Sequence, residues 1–393
     1  MFLRFTSSQQ SNSTSFYQSE RYQNHIQQAS DLYEELFTKR NYNKYLSPVY
    51  GATRNETDEN APPPLAVHFE LEYLQIFGLD AQSQLISGAI QFRMTWPDPR
   101  FTWRPGAFDG LTQLHVSTDA VWLPDNQFGN VKLLDDVLNG KAVKIDNEGI
   151  VEIINVYYLE IACQINITKF PFDNQTCELP VMSFAYDSSL ISTNGSIAPD
   201  TVDARMGMMG NGEWRVTGIN HFLIPFGQQQ IWTLALQVKR VPNYYVYVIA
   251  IPCFVITLLS IIGMFWTPSY ESEQIGKLGI GLTSLVSMTV LLDLLSSSIP
   301  KTAIFPLLGI YVVACVGFIA VACLLIMVCS AKDPRKRSAA EVKKQLEAEK
   351  SLPKREQLWN RIRKTLFHRH VLFQILLQSL NLGGFCIFLS FWK

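Results

Sequence analysis

Cysteine, aspartate and hydroxyl side chains carry most of the chemical information in this sequence. Of its seven cysteines, Cys253, Cys315, Cys323, Cys329 and Cys386 lie in or beside long apolar stretches, where a lone thiol is most simply a small packed hydrophobe. Only Cys163 and Cys177 belong to the more polar first 240 residues. Two thiols alone in a domain and close in sequence suggest one disulfide, and with it an oxidising compartment. Asp293 is the other group that stands out, because it shares the otherwise apolar stretch 275–299 with Thr283, Ser284, Ser287 and Thr289. A carboxylate at membrane depth is costly and usually faces a protein interior or a water-filled cavity. The stretch is therefore a candidate pore lining. Catalysis finds no support. There is no H-E-x-x-H, G-x-S-x-G or P-loop pattern, and the six histidines lack metal-ligand spacing. No enzyme activity, cofactor or metal site is expected.

These groups must be held by elements of two different kinds. Residues 1–240 mix polar and apolar residues as a soluble domain does, while most of 241–392 is strongly apolar. The net charge of −1 gives no reason to expect a nucleic-acid partner. Sequons for N-glycosylation begin at Asn12, Asn55, Asn166, Asn174 and Asn194, all in the half that holds the paired cysteines. The opening MFLRFTSSQQSNSTS has no apolar core of signal-peptide length. Either a signal has been removed or the true start lies upstream.

A membrane helix needs roughly 20 mostly apolar residues. Four stretches satisfy this, at 241–266, 275–299, 302–328 and 371–392. The intervening segment 329–370 is rich in Lys and Arg, which places it in the cytoplasm by the positive-inside rule. It reads as a short basic segment containing a helix interrupted at Pro353. Four spans then put both termini and the sequon-bearing half outside the cell, in a multi-pass protein of the plasma membrane. Within that half, helical spacing predicts a helix over about 20–46. After Pro62-Pro63-Pro64, short alternating or β-branched runs separated by turn clusters predict an all-β, immunoglobulin-like sandwich over about 65–240.

The segment from Cys163 to Cys177 carries Phe170-Pro171-Phe172-Asp173 at its centre, with thirteen residues between the cysteines. This resembles the signature loop of the Cys-loop receptors, the pentameric ligand-gated ion channels. Trp96-x-Asp98 with Trp103, Trp122-Leu-Pro-Asp125, Gly212-Glu-Trp214, Arg240 before the first span and Ile251-Pro-Cys253 within it follow in the family's order. The resemblance runs from about residue 30 to the end of the chain. It implies a homo- or heteropentamer in the lipid bilayer, a central path for permeant ions, and a small-molecule agonist bound between neighbouring extracellular domains.

What the resemblance implies for single residues can be stated by number. Arg240 matches a buried arginine that pairs with acidic loops where the two domains meet, and Asp173 and Asp80 are its expected partners here. Phe172 belongs to the loop tip that passes motion to the helices, and Pro300 matches the link after the pore helix. The family's second-span pattern puts Gly279, Thr283, Val286, Val290, Asp293 or Leu294, and Ser297 toward the pore. Five Val286 side chains, with Val290 a turn above, would form an apolar constriction that gates by excluding water. Carboxylates at Glu273 and Asp293 point to cations, since such rings attract them in a narrow pore. Gly276, where cation channels usually carry glutamate, departs from that pattern, and an anion-selective channel is the other reading.

For the agonist, Phe184 matches the key aromatic after the disulfide loop, with Tyr186 close by. Phe222, Phe226 and Trp232 are candidates from 214–240, and Phe128 lies beside Gly129, where tyrosine is common. The opposite wall is expected from Gln91, Arg93, Glu152 and Ile154. The aromatic set is incomplete and lacks the adjacent cysteine pair of acetylcholine-receptor α subunits. Arg93 would meet a carboxylate-bearing ligand or pair with a local acid. A further reading is a structural subunit without its own agonist.

Overall fold

The structure is a computed structural model that describes residues 16–49, 63–138, 142–199, 201, 206–266, 274–299, 304–328 and 369–392. Asn12, Asn55, Glu273, Pro300 and nearly all of the basic segment 329–370 lie outside the described residues. The chain divides into two compact units. One comprises Met1–Leu79, Leu85–Gln164 and Thr176–Val238, and the other Asp80–Gln84, Ile165–Gln175 and Lys239–Lys393.

The first unit opens with helix α1, Glu20–Tyr33, capped by Ser19, whose hydroxyl accepts from Tyr22 N–H. A π-helical turn, Glu34–Lys39, continues it and buries Leu36 beside Leu32 of α1. Helical structure stops there, short of the expected residue 46. Asn41 turns left-handed at φ 54°, a conformation that ends helices and that asparagine tolerates.

Eleven strands follow among the described residues: β1 Leu65–Asp80, β2 Leu85–Pro97, β3 Gln113–Ser117, β4 Gln127–Phe128, β5 Val131–Leu138, β6 Ala142–Asp146, β7 Ile150–Ala162, β8 Asn174–Met182, β9 Ile191–Ile197, β10 Trp214–Phe226 and β11 Gln229–Arg240. One sheet runs β3-β6-β7-β2-β1-β9, with β5 also on β7, and the other runs β10-β11-β8-β4. Most of the paired strands are antiparallel, while β1 and β9 pair in parallel. Strict alternation along β2 buries Ile86, Ile90, Phe92, Met94 and Trp96 between the sheets and turns Gln91, Arg93 and Thr95 the other way. Trp232 stacks on Phe69 and meets Phe92 edge-on at the centre of this core. Gly195 is required there, since a Cβ would stand 2.5 Å from both Trp232 and the Phe69 carbonyl.

The second unit is helical. Among the described residues, four helices are long and apolar enough to cross a membrane: α2 Asn243–Phe265, α3 Gln274–Ser298, α4 Leu307–Val328 and α5 Arg369–Ser390. Within α2 the turn Val246–Ala250 is π-helical, immediately before Pro252. Proline lacks an N–H, and a wider turn accommodates the missing bond. The third span starts at Leu307, later than the sequence suggests, because the chain first passes Pro306.

Candidate ligand, coupling and pore sites

The Trp96-x-Asp98 motif is a structural clamp. Asp98 is fully buried and accepts from Arg100 Nε at 2.8 Å, Arg100 Nη2 at 2.6 Å and the Arg100 N–H at 3.1 Å. The Tyr42 hydroxyl donates to Asp98 at 3.2 Å and accepts from Trp122 N–H and Arg100 Nη2. Burial is the main cause that pushes the Tyr42 phenol up to about 12. This clamp ties the end of the N-terminal helical region to the Trp122-Leu-Pro-Asp125 segment.

Asp125 in turn holds the loop that presents Phe184. Its carboxylate accepts from Ser183 Oγ at 2.7 Å and from the N–H groups of Phe184 and Ala185 at 2.9 and 2.6 Å. A loop fixed at three points leaves the Phe184 ring 57% exposed. Phe222 and Phe226 are also exposed, on the end of β10, where seven consecutive residues are uncovered on both faces. Tyr186 is half-buried two residues after Phe184. Trp232 does not belong with these rings. It is 0% exposed in the sandwich core, so its expected place in a ligand pocket is withdrawn. Phe128 also turns inward. Half-buried, it packs against Phe92 and Tyr157 and lines a cavity of about 130 Å3.

The opposite set gathers on the outward faces of β2 and β7, where Arg93 stands opposite Ile154 and Thr95 opposite Glu152. Arg93 is engaged by carboxylates. Its guanidinium pairs with Glu70 at 3.4 Å and closely with Glu72, and its Nε faces Glu152 at 4.0 Å, too long for a hydrogen bond. Glu152 also takes Lys144 at 3.1 Å, and Gln91 donates to Glu72 at 2.7 Å. Gln91, Arg93, Glu70 and Glu72 line a groove of about 440 Å3 with Tyr73 and Thr201. Sequence reasoning missed Glu70 and Glu72. The alternation of His68, Glu70 and Glu72 along β1 was the available signal.

Cys163 and Cys177 are bonded, with Cα atoms 4.9 Å apart. Inside the loop, Asp173 forms a buried pair with Arg240, Nε to Oδ1 2.9 Å. Asp173 Oδ2 also accepts from Gln175 at 2.6 Å. The guanidinium lies over the rings of Phe170 and Tyr245, at 4.9 and 5.6 Å. Asp80 accepts from Gln82 N–H and Ser83 Oγ within its own turn. Gln82 donates to the Ser297 carbonyl of α3. The carbonyls of Thr168 and Phe170 accept from Leu307 and Leu308, the first N–H groups of α4, which lack helical partners. Phe172 packs on Phe388 of α5 at 5.2 Å. The loop, the Asp80–Gln84 turn and the four helices are thus one compact unit.

Within one chain, only 17% of the most apolar stretch of α3 is buried, against 44% for α2. The buried residues Lys277, Gly281, Met288 and Leu295 form one stripe, which packs toward α2 and α4. Successive residues advance about 100° around a helix. Gly279, Thr283, Val286, Val290, Asp293 and Ser297 therefore lie on the opposite face, and all six are exposed. A helix lipid-exposed on that face would not carry threonine, serine and aspartate there.

Two family models match. The neurotransmitter-gated ion-channel ligand binding domain matches residues 29–240, and the neurotransmitter-gated ion-channel transmembrane region matches 249–363. This chain belongs to the neurotransmitter-gated ion-channel family. It is a Cys-loop receptor subunit, with an extracellular sandwich domain and several membrane spans, and its family is one of oligomeric channels rather than enzymes. The neuronal acetylcholine receptor subunit alpha-6 of Rattus norvegicus is 29% identical over 296 residues, covering 73% of this chain and 56% of that protein. Subunit beta-3 of Gallus gallus is 26% identical over 309 residues, covering 75% and 62%. Subunit non-alpha-2 of Carassius auratus is 27% identical over 303 residues, covering 73% and 60%. This channel subunit thus spans little more than half the length of the curated relatives it matches. Of the sequons in the described residues, Asn166 and Asn174 are exposed, and Asn194 is half-buried with its Oδ1 2.7 Å from His68 Nδ1.

Proposed function

We propose that this chain is one subunit of a pentameric, cation-selective channel of the plasma membrane, opened by a small molecule bound between neighbouring extracellular domains. The observation that carries the pore reading is the exposed polar and apolar face of α3, opposite the stripe that packs on α2 and α4. Val286 and Val290 supply its constriction, and Asp293 its outer carboxylate ring. Lys277 is 6% exposed and turned onto the packed stripe, which keeps its charge off the proposed conduction face and supports cations over anions.

Phe184, Phe222 and Phe226 form the aromatic side of the agonist site, and Gln91, Arg93, Glu152 and Ile154 the opposing side. Because Arg93 is answered by Glu70, Glu72 and Glu152, that wall carries more negative than positive charge even when Lys144 is counted. A cationic or neutral amphiphilic agonist fits it better than a free carboxylate.

Whole-cell current from cells expressing this chain alone tests the proposal, with amines, amino acids, protons and amphiphiles applied under ion substitution. A current that reverses near the cation equilibrium potential is expected. Reversal at the chloride potential would overturn cation selectivity. A second reading, a subunit that opens only beside a partner, is favoured by the reduced ring set once Trp232 and Phe128 are removed from it. Silence of surface pentamers that conduct when a related subunit is co-expressed would establish that reading.

A further inference from the structure

We infer that the hydroxyls of Ser260 on α2 and Ser284 on α3 form a rotational latch that sets which face α3 turns to the pore, an inference resting on α3 being the pore helix. The two oxygens are 2.5 Å apart. Each hydroxyl also reaches a carbonyl of its own helix, Ser260 to Ile256 at 2.6 Å and Ser284 to Ile280 at 2.8 Å. A serine hydroxyl has one proton and two lone pairs. The pair can therefore donate in either direction, with the remaining proton on a helix carbonyl, and neither oxygen is left unsatisfied.

The surrounding seam brings the helices close enough for this bond. Gly263 of α2 lies against Ile280 of α3, with ordinary van der Waals spacing even for an added Cβ, at 3.5 Å. Gly281 sits one turn before Ser284 on the buried stripe, and a Cβ there would collide with Cys323 of α4 and press on Met264 of α2 at 3.1 Å. Other α3 hydroxyls, those of Thr283, Ser287, Thr289, Ser297 and Ser298, bond back to their own helix. Ser284 does this and also reaches across.

Its position makes the bond sensitive to rotation. Ser284 and Val286 are two residues apart, about 200° around the helix, so one faces α2 while the other faces away. A rotation of about 30° carries a group roughly 4 Å from the helix axis through about 2 Å. Across the line to Ser260, that motion lengthens the contact to roughly 3.2 Å, past the usual O–H···O range. A turn of α3 of about that size, which carries Val286 around with it, therefore weakens or breaks the Ser260–Ser284 bond, and re-forming it restores one orientation. Ser260 and Ser284 are positioning residues, acting on permeation through the helix that bears Val286.

The test reads the facing of α3 directly and needs no agonist. In the full chain in lipid vesicles, with Cys386 replaced by serine, a cysteine is placed at Ser296 or at Ser297, adjacent positions about 100° apart. Each is reacted with an impermeant, charged methanethiosulfonate from outside, and the ratio of the two rates is recorded by mass. Ser260→Ala and Ser284→Ala should each change the ratio about threefold, the scale of an average hydrogen bond inside a membrane protein. The double variant should go no further than the larger single, and Ser284→Thr should restore the parental ratio. A ratio that stays within 1.5-fold (roughly, relative to that scale), or single effects that multiply in the double, would overturn the latch. Failure of the pore-helix reading shows separately, as an Asp293→Cys thiol, outward of Val286 and Val290 on the same face, that never reacts with the water-borne reagent while the ratio still responds to the serine pair.

Discussion

Arg240 and Asp173 form an ion pair in which both side chains are almost wholly buried, at 2% and 1% exposure, with Nε and Oδ1 2.9 Å apart. The backbone repeats the connection, since Arg240 N–H donates to the Asp173 carbonyl at 3.1 Å. Charges taken out of water are tolerated only with good geometry and further partners, and here Gln175 donates to Asp173 while the faces of Phe170 and Tyr245 lie against the guanidinium.

Removing one partner deprives the other charge of its buried counter-ion. Arg240→Gln and Asp173→Asn should each destabilise the second unit by about 3–5 kcal/mol. The double variant should cost clearly less than the sum of the singles, because the two side chains interact directly. Thermal unfolding of the full chain in detergent, with surface labelling in cells, measures both. Additive losses would mean that the two side chains act independently.

The order of helix, sandwich and four spans was legible because it rests on period and length, which survive any detail of packing. Trp232 was not. Six consecutive residues of β11, Ile231–Leu236, are buried, so alternation along that strand cannot separate an inward ring from an outward one. Arg93 could be placed on the outer face of β2 from alternation alone. Its neutralisation by Glu70 and Glu72 depended on β1 lying beside β2. The attachment of the disulfide loop to α4 runs through backbone groups of Thr168, Phe170, Leu307 and Leu308, and side-chain identity carries no trace of it.

Trp232 and Phe184 should therefore respond to truncation in opposite ways. Trp232→Ala empties a core position flanked by Phe69 and Phe92 and should cost about 3–5 kcal/mol, with loss of surface protein. Phe184→Ala removes an exposed ring whose loop is held by Asp125 through backbone N–H groups, and stability should stay within about 0.5 kcal/mol. Its effect should fall on agonist response instead. Equal losses of folding in the two variants would put Phe184 in a structural role.

Val286 is 64% exposed in the single chain, on the face of α3 opposite the packed stripe. If five such side chains exclude water from a closed pore, Val286→Ser should wet the constriction and produce a standing leak without ligand. Val290→Ser, one turn further on, should do the same more weakly if the narrowest ring is at Val286. Leu295→Ser lies on the buried stripe and should lower expression rather than open the channel. Resting current in cells with matched surface labelling distinguishes these outcomes, and an unchanged resting state for Val286→Ser would move the constriction elsewhere.

The Tyr42 clamp makes a prediction at high pH. Burial first, then the nearby Asp98 carboxylate, hold the phenol protonated up to about 12, above its ordinary 10.0. A group whose pKa is raised on folding contributes stability that is complete below its unfolded value and disappears as pH rises through its folded one. The contribution of Tyr42 should thus be constant up to about pH 10 and fall away toward pH 12. Tyr42→Phe loses the hydroxyl that Trp122 N–H and Arg100 donate to, so it should be less stable than the parent by about 1–3 kcal/mol near neutral pH. That gap should narrow between pH 10 and 12, because the parent then loses what the variant never had. Tyr157 is also pushed up to about 12, chiefly by burial, and titrates in both proteins, so it cancels from the difference. Melting temperatures of the two proteins across this range decide the matter, and a gap that stays constant to pH 12 would mean that folding leaves the Tyr42 phenol unshifted.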